Sequence, residues 1–410
     1  MFDTRETPWL DEGVPASRIR RAIDYPFFLA KFTRIFLRPP EFEGARVTPK
    51  RLWNLYKLRW AINRGSTALR SYPAKLTVEP TSVCNLECPA CFTGAGEVGR
   101  ARAPMSLDLY RRLLAEMGDY LFQVEFYNWG EPLLAKNIYT MVEEASARGL
   151  STVVSSNLSF PFDAERAERL VRSRLAVLGV SIDGARQETY EQYRVRGNLE
   201  TVLRNVRLVN EAKRRLGSAT PKLIWSFHVF PHNADDVEQA RAMATELDME
   251  FAVEKGWVVG DEWDPDGRFT YYGNPRPFPC VPLWEYAVLN NDGGVAPCCG
   301  SFYREDDVGR VAADGRDGGA RTFREVWNGP GLRRARGFYS TRDGDEAARR
   351  SICFDCPQTV IWERWQHHMG GGGLEQDFDP GYGQNDVFNY FWTRQKLHRP
   401  PSDAPRRARG

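Results

Sequence analysis

The chain has 410 residues, 42% of them hydrophobic, enough to bury a large core in one barrel-sized domain with a smaller one beside it. No stretch reaches the roughly 20 apolar residues that cross a bilayer, and the mixed-charge start Met1-Phe2-Asp3-Thr4-Arg5-Glu6 has no apolar run behind it, so neither a membrane span nor a secretory signal is expected. A cytoplasmic setting follows, in which the 8 cysteines read as metal ligands rather than disulfides.

The formal charge of +2 is unevenly spread: residues 1–75 carry 15 Lys/Arg against 7 Asp/Glu, a surplus of +8, and the remainder is −6. Within the basic part, Phe27, Phe28, Leu29, Phe32, Ile35 and Phe36 alternate with Lys31, Arg34 and Arg38 at helical spacing, which predicts an amphipathic helix with a cationic face. Two readings stay open for residues 27–38. Their aromatic face packs on the rest of the chain while the cations are solvated, or the helix rests peripherally on the anionic inner membrane surface and receives a lipid-linked substrate. A second helix is predicted from Lys50 to Asn63, where Leu52, Trp53, Leu55, Tyr56, Leu58, Trp60 and Ile62 cover too much of the circumference for a solvent helix.

From residue 75 short β-rich runs alternate with helical ones, the pattern of parallel strands joined by crossover helices in an α/β fold. Strands are predicted at Lys75 to Thr81, Gln123 to Asn128, Ser151 to Ser156, Val177 to Ile182, Lys222 to Phe230 and Phe251 to Trp257. Helices are predicted at Leu107 to Met117, Ile138 to Ala147, Ala164 to Arg172, Leu199 to Lys213 and Asp235 to Leu247. Six strands and their helices make a partial, TIM-like (β/α)6 barrel, whose chemistry is expected at the C-terminal strand ends. The expected domains are a basic helical extension over 1–74, the barrel over 75–260, a small β-hairpin and helix domain over 261–365 and an aromatic, basic tail over 366–410. From Arg394 on, Arg394, Lys396, Arg399, Arg406, Arg407 and Arg409 sit among prolines with only Asp403 opposing them, which predicts disorder there. Neither basic end shows a recognition module, so no specific nucleic-acid contact is expected.

Right after the first predicted strand, Cys84-Asn85-Leu86-Glu87-Cys88-Pro89-Ala90-Cys91 offers three thiols from one short loop. A four-iron cluster kept for electron transfer normally takes four cysteines, so three leave one iron open to something other than protein. Zinc is the plain alternative, but no histidine or fourth cysteine lies near this loop to complete its four ligands. The spacing, with Asn-Leu after the first cysteine, resembles the radical S-adenosylmethionine (SAM) superfamily. The resemblance implies a [4Fe-4S] cluster on Cys84, Cys88 and Cys91, whose open iron is chelated by the amino and carboxylate groups of SAM. It also implies an electron donor such as flavodoxin or ferredoxin, and reductive cleavage of SAM to a 5′-deoxyadenosyl radical that abstracts a hydrogen atom.

The other strand ends carry further resemblances. Trp129-Gly130-Glu131-Pro132 resembles the family's Gly-Gly-Glu segment, which implies contact of Trp129, Gly130 and Glu131 with the SAM ammonium; the plain reading is a turn before a helix. Ser155-Ser156-Asn157 resembles the polar strand end that faces the ribose or sulfonium, placing Ser155 and Asn157 there, although such residues also cap helices. Ser181-Ile182-Asp183-Gly184, followed by Arg194, resembles the stretch in which Ser181, Asp183 and Arg194 serve SAM, with Ser181 and Arg194 on its carboxylate; Arg196 competes with Arg194. Ala90 stands where many members have an aromatic residue, which leaves Phe92 as the candidate adenine contact. His228 and His232 are read as packing or solvent residues, and no catalytic residue is assigned.

The other five cysteines follow the barrel. Tyr286 to Leu289 and Val295 to Pro297, around Asn290-Asn291-Asp292-Gly293-Gly294, predict a β-hairpin between Cys280 and Cys298, and Cys353 and Cys356 form a close pair. With Val308 to Val311 and a helix around Phe323 to Trp327, this region resembles the auxiliary-cluster extensions called SPASM or twitch. That implies one auxiliary [4Fe-4S] cluster on Cys280, Cys298, Cys353 and Cys356, with a zinc ribbon as the competing reading. Cys299 is the spare: it replaces Cys298 or sits buried as a small hydrophobe. The function implied is oxidation or rearrangement of a sugar-like or other small molecule. Crosslink or thioether formation in a peptide, and modification of a lipid or lipid-linked sugar, are the alternatives within the family. A non-enzymatic iron-sulfur or zinc protein is the alternative outside it.

Overall fold

In the computed structural model the described residues are residue 42, residues 44–255, residue 280, residues 282–312, residues 322–341 and Cys353. The expected helix over 27–38, the tail over 366–410, the end of the sixth strand beyond Lys255 and the fourth auxiliary ligand Cys356 lie outside them.

The first described helix, α1 (Pro49–Asn63), starts where the Thr48 hydroxyl accepts from the Arg51 amide and proline fills the first turn. It buries Leu55 and Leu58, and the buried Arg51 guanidinium donates to the carbonyls of Arg46 (2.5 Å), Gly149 (2.6 Å) and Arg148 (2.9 Å). Trp53 stays 55% exposed, so the helix covers the core with one side and keeps an aromatic stripe outside.

The barrel follows as β1 (Lys75–Val78), α2 (Leu107–Met117), β2 (Gln123–Phe126), α3 (Ile138–Ala147), β3 (Ser151–Ser156), α4 (Ala164–Arg172) and β4 (Val177–Ser181). It continues through α5 (Gln187–Tyr193), α6 (Leu199–Leu216), β5 (Lys222–Val229), α7 (Val237–Glu246) and β6 (Glu250–Lys255). Three of the predicted helices have the predicted bounds, while β1, β2, β4 and β5 stop one to three residues early because their last residues turn into the loops that build the site. Helix α6 runs on to Leu216 because Gly217, with φ of 61°, supplies the left-handed cap. Helix α5, over Gln187-Glu188-Thr189-Tyr190, was not anticipated; seven residues are too few to show a period.

Strands β1 to β6 pair in parallel and in sequence order. One phase of each strand is buried under the helices: Leu76, Val78, Val124, Phe126, Val154, Leu178, Val180, Leu223, Trp225 and Phe227 belong to a single apolar core. The other phase forms the inner face, where Lys75, Thr77, Gln123, Glu125, Ser155, Gly179, Ser181 and Ser226 are placed by the alternation.

After the barrel come α8 (Pro282–Glu285), β7 (Tyr286–Leu289), β8 (Gly294–Ala296), β9 (Gly309–Arg310), α9 (Phe323–Trp327) and α10 (Pro330–Thr341). The predicted hairpin is β7 and β8, but it is no separate layer. Strand β7 lies parallel to β1 in the register Lys75↔Tyr286 to Val78↔Leu289, so nine strands form one sheet in the order β6-β5-β4-β3-β2-β1-β7-β8-β9. The Trp327 indole donates to the Ser71 carbonyl (3.0 Å), and the buried Arg336 guanidinium donates to the carbonyls of Leu283 (2.9 Å) and Trp327 (2.7 Å), which fixes α9 and α10 to the same body.

Candidate functional site

Residues 79–106 fold over the C-terminal end of the sheet between β1 and α2. Inside this loop the Cys91 amide donates to the Cys88 carbonyl (3.1 Å) and the Leu86 amide to Cys84 Sγ (3.5 Å). The Glu87 amide reaches across to the Val195 carbonyl (3.1 Å). A side chain at Gly94 would place its Cβ 2.5 Å from both the nitrogen and the oxygen of Cys88. The loop closes around its cysteines only because that position is glycine. Sequence reasoning passed over Gly94, although a small residue soon after a ligand loop was the available signal.

The three thiols lie in a poorly solvated place. Burial pushes Cys84 up to about 12, with the Glu131 carboxylate adding to the effect, and Cys88 up to about 11, with Arg194 opposing; Cys91 is raised by burial as well. Bare thiols here stay protonated, so a bound metal would have to bring the charge compensation that holds them as thiolates.

The strand ends meet the loop as the motif positions suggested, with differences in what each side chain touches. Gly130 is pressed on the loop's entry, where a Cβ would collide with the Thr81 carbonyl oxygen. The Glu131 amide donates to the Val83 carbonyl (2.9 Å), and its buried carboxylate accepts from Leu133 N (3.0 Å), Ser156 Oγ (2.8 Å) and Asn157 N (2.8 Å). Asn157 Nδ2 donates to Cys84 Sγ (3.7 Å) and to Asn85 Oδ1 (3.1 Å), which ties the end of β3 to the first cysteine. Ser155 and Ser181 look onto the half-open inner face.

Asp183 is fully buried. Its carboxylate accepts from Arg194 Nε (2.6 Å), His228 N (2.7 Å) and His228 Nδ1 (3.1 Å). It therefore orients Arg194 and His228. Arg194 NH1 in turn lies 3.9 Å from Cys88 Sγ, whereas Arg196 pairs with the exposed Glu87 (3.1 Å), which separates the two arginines that sequence could not. Phe92 is fully buried, stacked on Phe302 (5.0 Å between centroids) and in T-shaped contact with Trp129 (5.1 Å) and Tyr303 (5.8 Å).

Those contacts show what sequence analysis missed: the segment after Cys299 roofs the cysteine loop. The Trp129 indole donates to the Ser301 carbonyl (3.2 Å), and the chain passes so close at Gly99 that a Cβ there would meet the Phe302 ring at 2.6 Å. Beside it Arg100, whose side chain is 1% exposed, bonds Asp292 Oδ1 (3.0 Å), Asp307 Oδ1 (3.2 Å) and the Phe302 carbonyl (3.1 Å). Asn291 Nδ2 donates to the carbonyls of Ala101 (3.1 Å) and Ala103 (2.7 Å), which locks the hairpin turn onto the same stretch.

Of the auxiliary candidates, Cys353 is buried in the main core with Cys280 packed against that core, Cys298 is half-buried and Cys299 is exposed. The reading of Cys299 as a buried small hydrophobe is thereby corrected.

Comparison with known proteins agrees with this arrangement. The model of the radical SAM superfamily matches residues 78–243, and that of the SPASM iron-sulfur cluster-binding domain matches residues 280–357. The chain belongs to the radical SAM superfamily and carries a C-terminal SPASM domain. Fe-coproporphyrin III synthase of Methanosarcina barkeri is 28% identical over 138 residues, 33% of this chain and 34% of that protein. Mycofactocin maturase of Mycolicibacterium smegmatis is 26% identical over 174 residues, 42% of each chain. The chain thus spans roughly a third to two fifths of the length of these relatives. In fold it is similar to Streptococcus suis SuiB bound to S-adenosylmethionine, with a TM-score of 0.53 at 14% identity over 90% of this chain and 88% of that one. SuiB has also been solved with its precursor peptide SuiA.

A [4Fe-4S] cluster and SAM are the cofactors of the superfamily, and auxiliary iron-sulfur clusters those of the SPASM domain. The residues fit the first cluster. Three thiols come from one loop that Gly94 lets close, in a dry surround, with the Arg194 cation beside Cys88 to offset thiolate charge. Among the described residues no three His, Cys, Asp or Glu side chains close around a single ion. A zinc tetrahedron would need its sulfurs only about 3.8 Å apart.

Two buried carboxyls beside the site set a pH dependence. Burial pushes Glu79 and Glu131 each from 4.5 to about 7. Such raised groups stabilise the fold fully below pH 4.5, and that contribution is lost as pH rises through about 7. Burial also raises Asp183, but Arg194 and then His228 outweigh it and hold it at about 2, so its contribution is present above 3.8 and lost as pH falls through 2. The metal-free chain should therefore melt highest near pH 4–5 and progressively lower toward pH 8. Circular-dichroism melts across that range check this, and Glu79→Gln should flatten the slope; a midpoint rising from pH 5 to 8 would contradict it.

Proposed function

We propose that this radical SAM enzyme removes a hydrogen atom from a sugar-like, hydroxyl-bearing small molecule and oxidises or rearranges it. Cys84, Cys88 and Cys91 hold the cluster that binds SAM, and Cys280, Cys298, Cys353 and Cys356 hold one auxiliary cluster. When bound, the cluster and SAM supply reductive carbon–sulfur cleavage and hence an acceptor for a hydrogen atom. The protein's part is placement. Arg194, oriented by Asp183, lies beside Cys88 and offers a guanidinium to the SAM carboxylate, with Ser181 at the end of β4 as the second group for it. Ser155 and Asn157 line the adjoining strand end, and the Trp129 and Phe302 rings exclude water from the loop.

The observation that carries the substrate class is the inner face of the sheet, which offers hydroxyls while its cations are paired. Among the described residues Lys75 lies 3.4 Å from Glu125 and Lys222 2.7 Å from Glu250, and Arg194, just after α5, lies 2.6 Å from Asp183. Peptide maturation is the second reading, supported by the likeness to mycofactocin maturase and by the SuiB fold. A lipid-linked substrate rested on residues 27–38, outside the described part of the chain.

The test is oxygen-free, reconstituted protein with dithionite and SAM. It should release 5′-deoxyadenosine, and faster with free hexoses or cyclitols than with short peptides. Stimulation by peptides alone would replace the first reading with the second, and no deoxyadenosine from protein with an intact cluster would defeat both.

A further inference from the structure

We infer that the middle of the inner face, around Gly179 on β4, is the floor on which the substrate's neutral hydroxyl-bearing part sits, and that Gly179 determines which substrate fits. This rests on the sugar-like reading and names its site.

Glycine weakens a strand interior, so one placed there marks a bulge, a tight contact or a ligand. Gly179 has neither of the first two. It pairs regularly between Ser155 on β3 and Ile224 on β5, its φ is not among the positive ones, and a Cβ built on it meets nothing nearer than Ser226 Oγ at 3.7 Å and the Val154 carbonyl at 3.8 Å. Gly130, Gly94 and Gly99 are each required by a backbone or ring against them. At Gly179 a Cβ would make only ordinary contacts, and the shallow hollow left by the missing side chain lies on the face that looks into the barrel.

The surround of that hollow specifies its occupant. Ser155 lies in the same row, and Ser181 and Ser226 are paired in the row nearer the mouth. All three are half-buried, and among the described residues none of their hydroxyls has a hydrogen-bond partner. Idle hydroxyls on one concave face suit a ligand that both donates and accepts, as alcohols do. On β2, Glu125 Oε2 accepts from Tyr127 OH (2.8 Å) and Thr77 Oγ1 (3.1 Å), so the side of the floor is a hydrogen-bonded wall whose carboxylate is matched by Lys75. An anionic or cationic substrate would find each charge there already answered; a polyol loses nothing by that. Because Gly179 lies two positions inside Ser181, the hollow is deeper than the strand ends where SAM is expected.

Gly179→Val, a side chain that suits a strand, fills the hollow. Saturation-transfer NMR on the anaerobic holoenzyme, with D-glucose and myo-inositol as probes, should show probe binding to the wild type. The valine variant should weaken it by roughly tenfold or more, Gly179→Ala less. Cluster iron, melting temperature and affinity for SAM should stay at wild-type values. Weakened SAM binding in the valine variant would mean the hollow belongs to SAM and overturns the assignment. Equal probe binding by variant and wild type overturns it as well, leaving the sugar-like reading standing. No probe binding by the wild type overturns that reading and the assignment together. Should the valine variant not fold, Gly179→Ala and Ser226→Ala are compared by the same measurement.

Discussion

Cys88→Ala is expected to abolish SAM-dependent 5′-deoxyadenosine release and to strip the iron and sulfide of the first cluster, leaving those of the auxiliary site. The residual two thiols face a dry pocket in which burial already holds Cys84 near 12, so they have no means of keeping a cluster against solvent iron exchange. Gly94→Val should give the same loss with every thiol in place, because the added carbon meets the Cys88 backbone at 2.5 Å. Cys353→Ala should do the reverse, lowering iron while leaving the first cluster. Iron and sulfide analysis with electron paramagnetic resonance of the reduced protein separates the cases. A Cys88→Ala protein that still cleaves SAM would remove the basis for assigning the loop.

The second large effect is structural. Arg100→Met should cost about 3–5 kcal/mol of stability, the range for removing one partner of a buried ion pair. Asp307 would be left under the roof without its cation and Asp292 with only the exposed Arg304 at 3.9 Å, and Glu79 would lose the main charge that opposes its burial. Burial already lifts Asp307 to about 6 with Arg100 in place, so part of the damage should be relieved by acid. Urea unfolding of the metal-free chain at pH 5 and pH 8 measures this, with the larger loss expected at pH 8. A cost below about 1 kcal/mol, the value of an exposed pair, would show that the network does not hold the hairpin to the loop.

Period and spacing were enough for the elements that repeat or cluster locally. Helices such as Leu107–Met117 and Ala164–Arg172 carry apolar residues on one side of a full set of turns, and the strands stand out as β-branched runs between them. The three cysteines and the strand-end residues Glu131, Asn157 and Arg194 are also neighbours of something recognisable in the chain. What escaped are contacts between segments about 200 residues apart: Arg100 with Asp307, Trp129 with Ser301, Phe92 with Phe302. Such pairs leave no period and no fixed spacing, so each partner looks like an ordinary surface or core residue. The same reason hid the partners of Asp183. A carboxylate two residues after a candidate ligand serine reads as another ligand, and only the fold shows the bonds it accepts from Arg194 and His228.

The parallel seam between Lys75–Val78 and Tyr286–Leu289 has one further implication. In a chain where each cofactor region occupied its own module, the rear portion could be exchanged between homologues to make chimaeras. Here the strand that launches the cysteine loop has the β2 strand on one border and the hairpin on the other, so cutting the chain before Pro282 would bare that border's amides and carbonyls directly under the three cysteines. Transplants of this enzyme's rear half therefore have to bring a matching first strand with them.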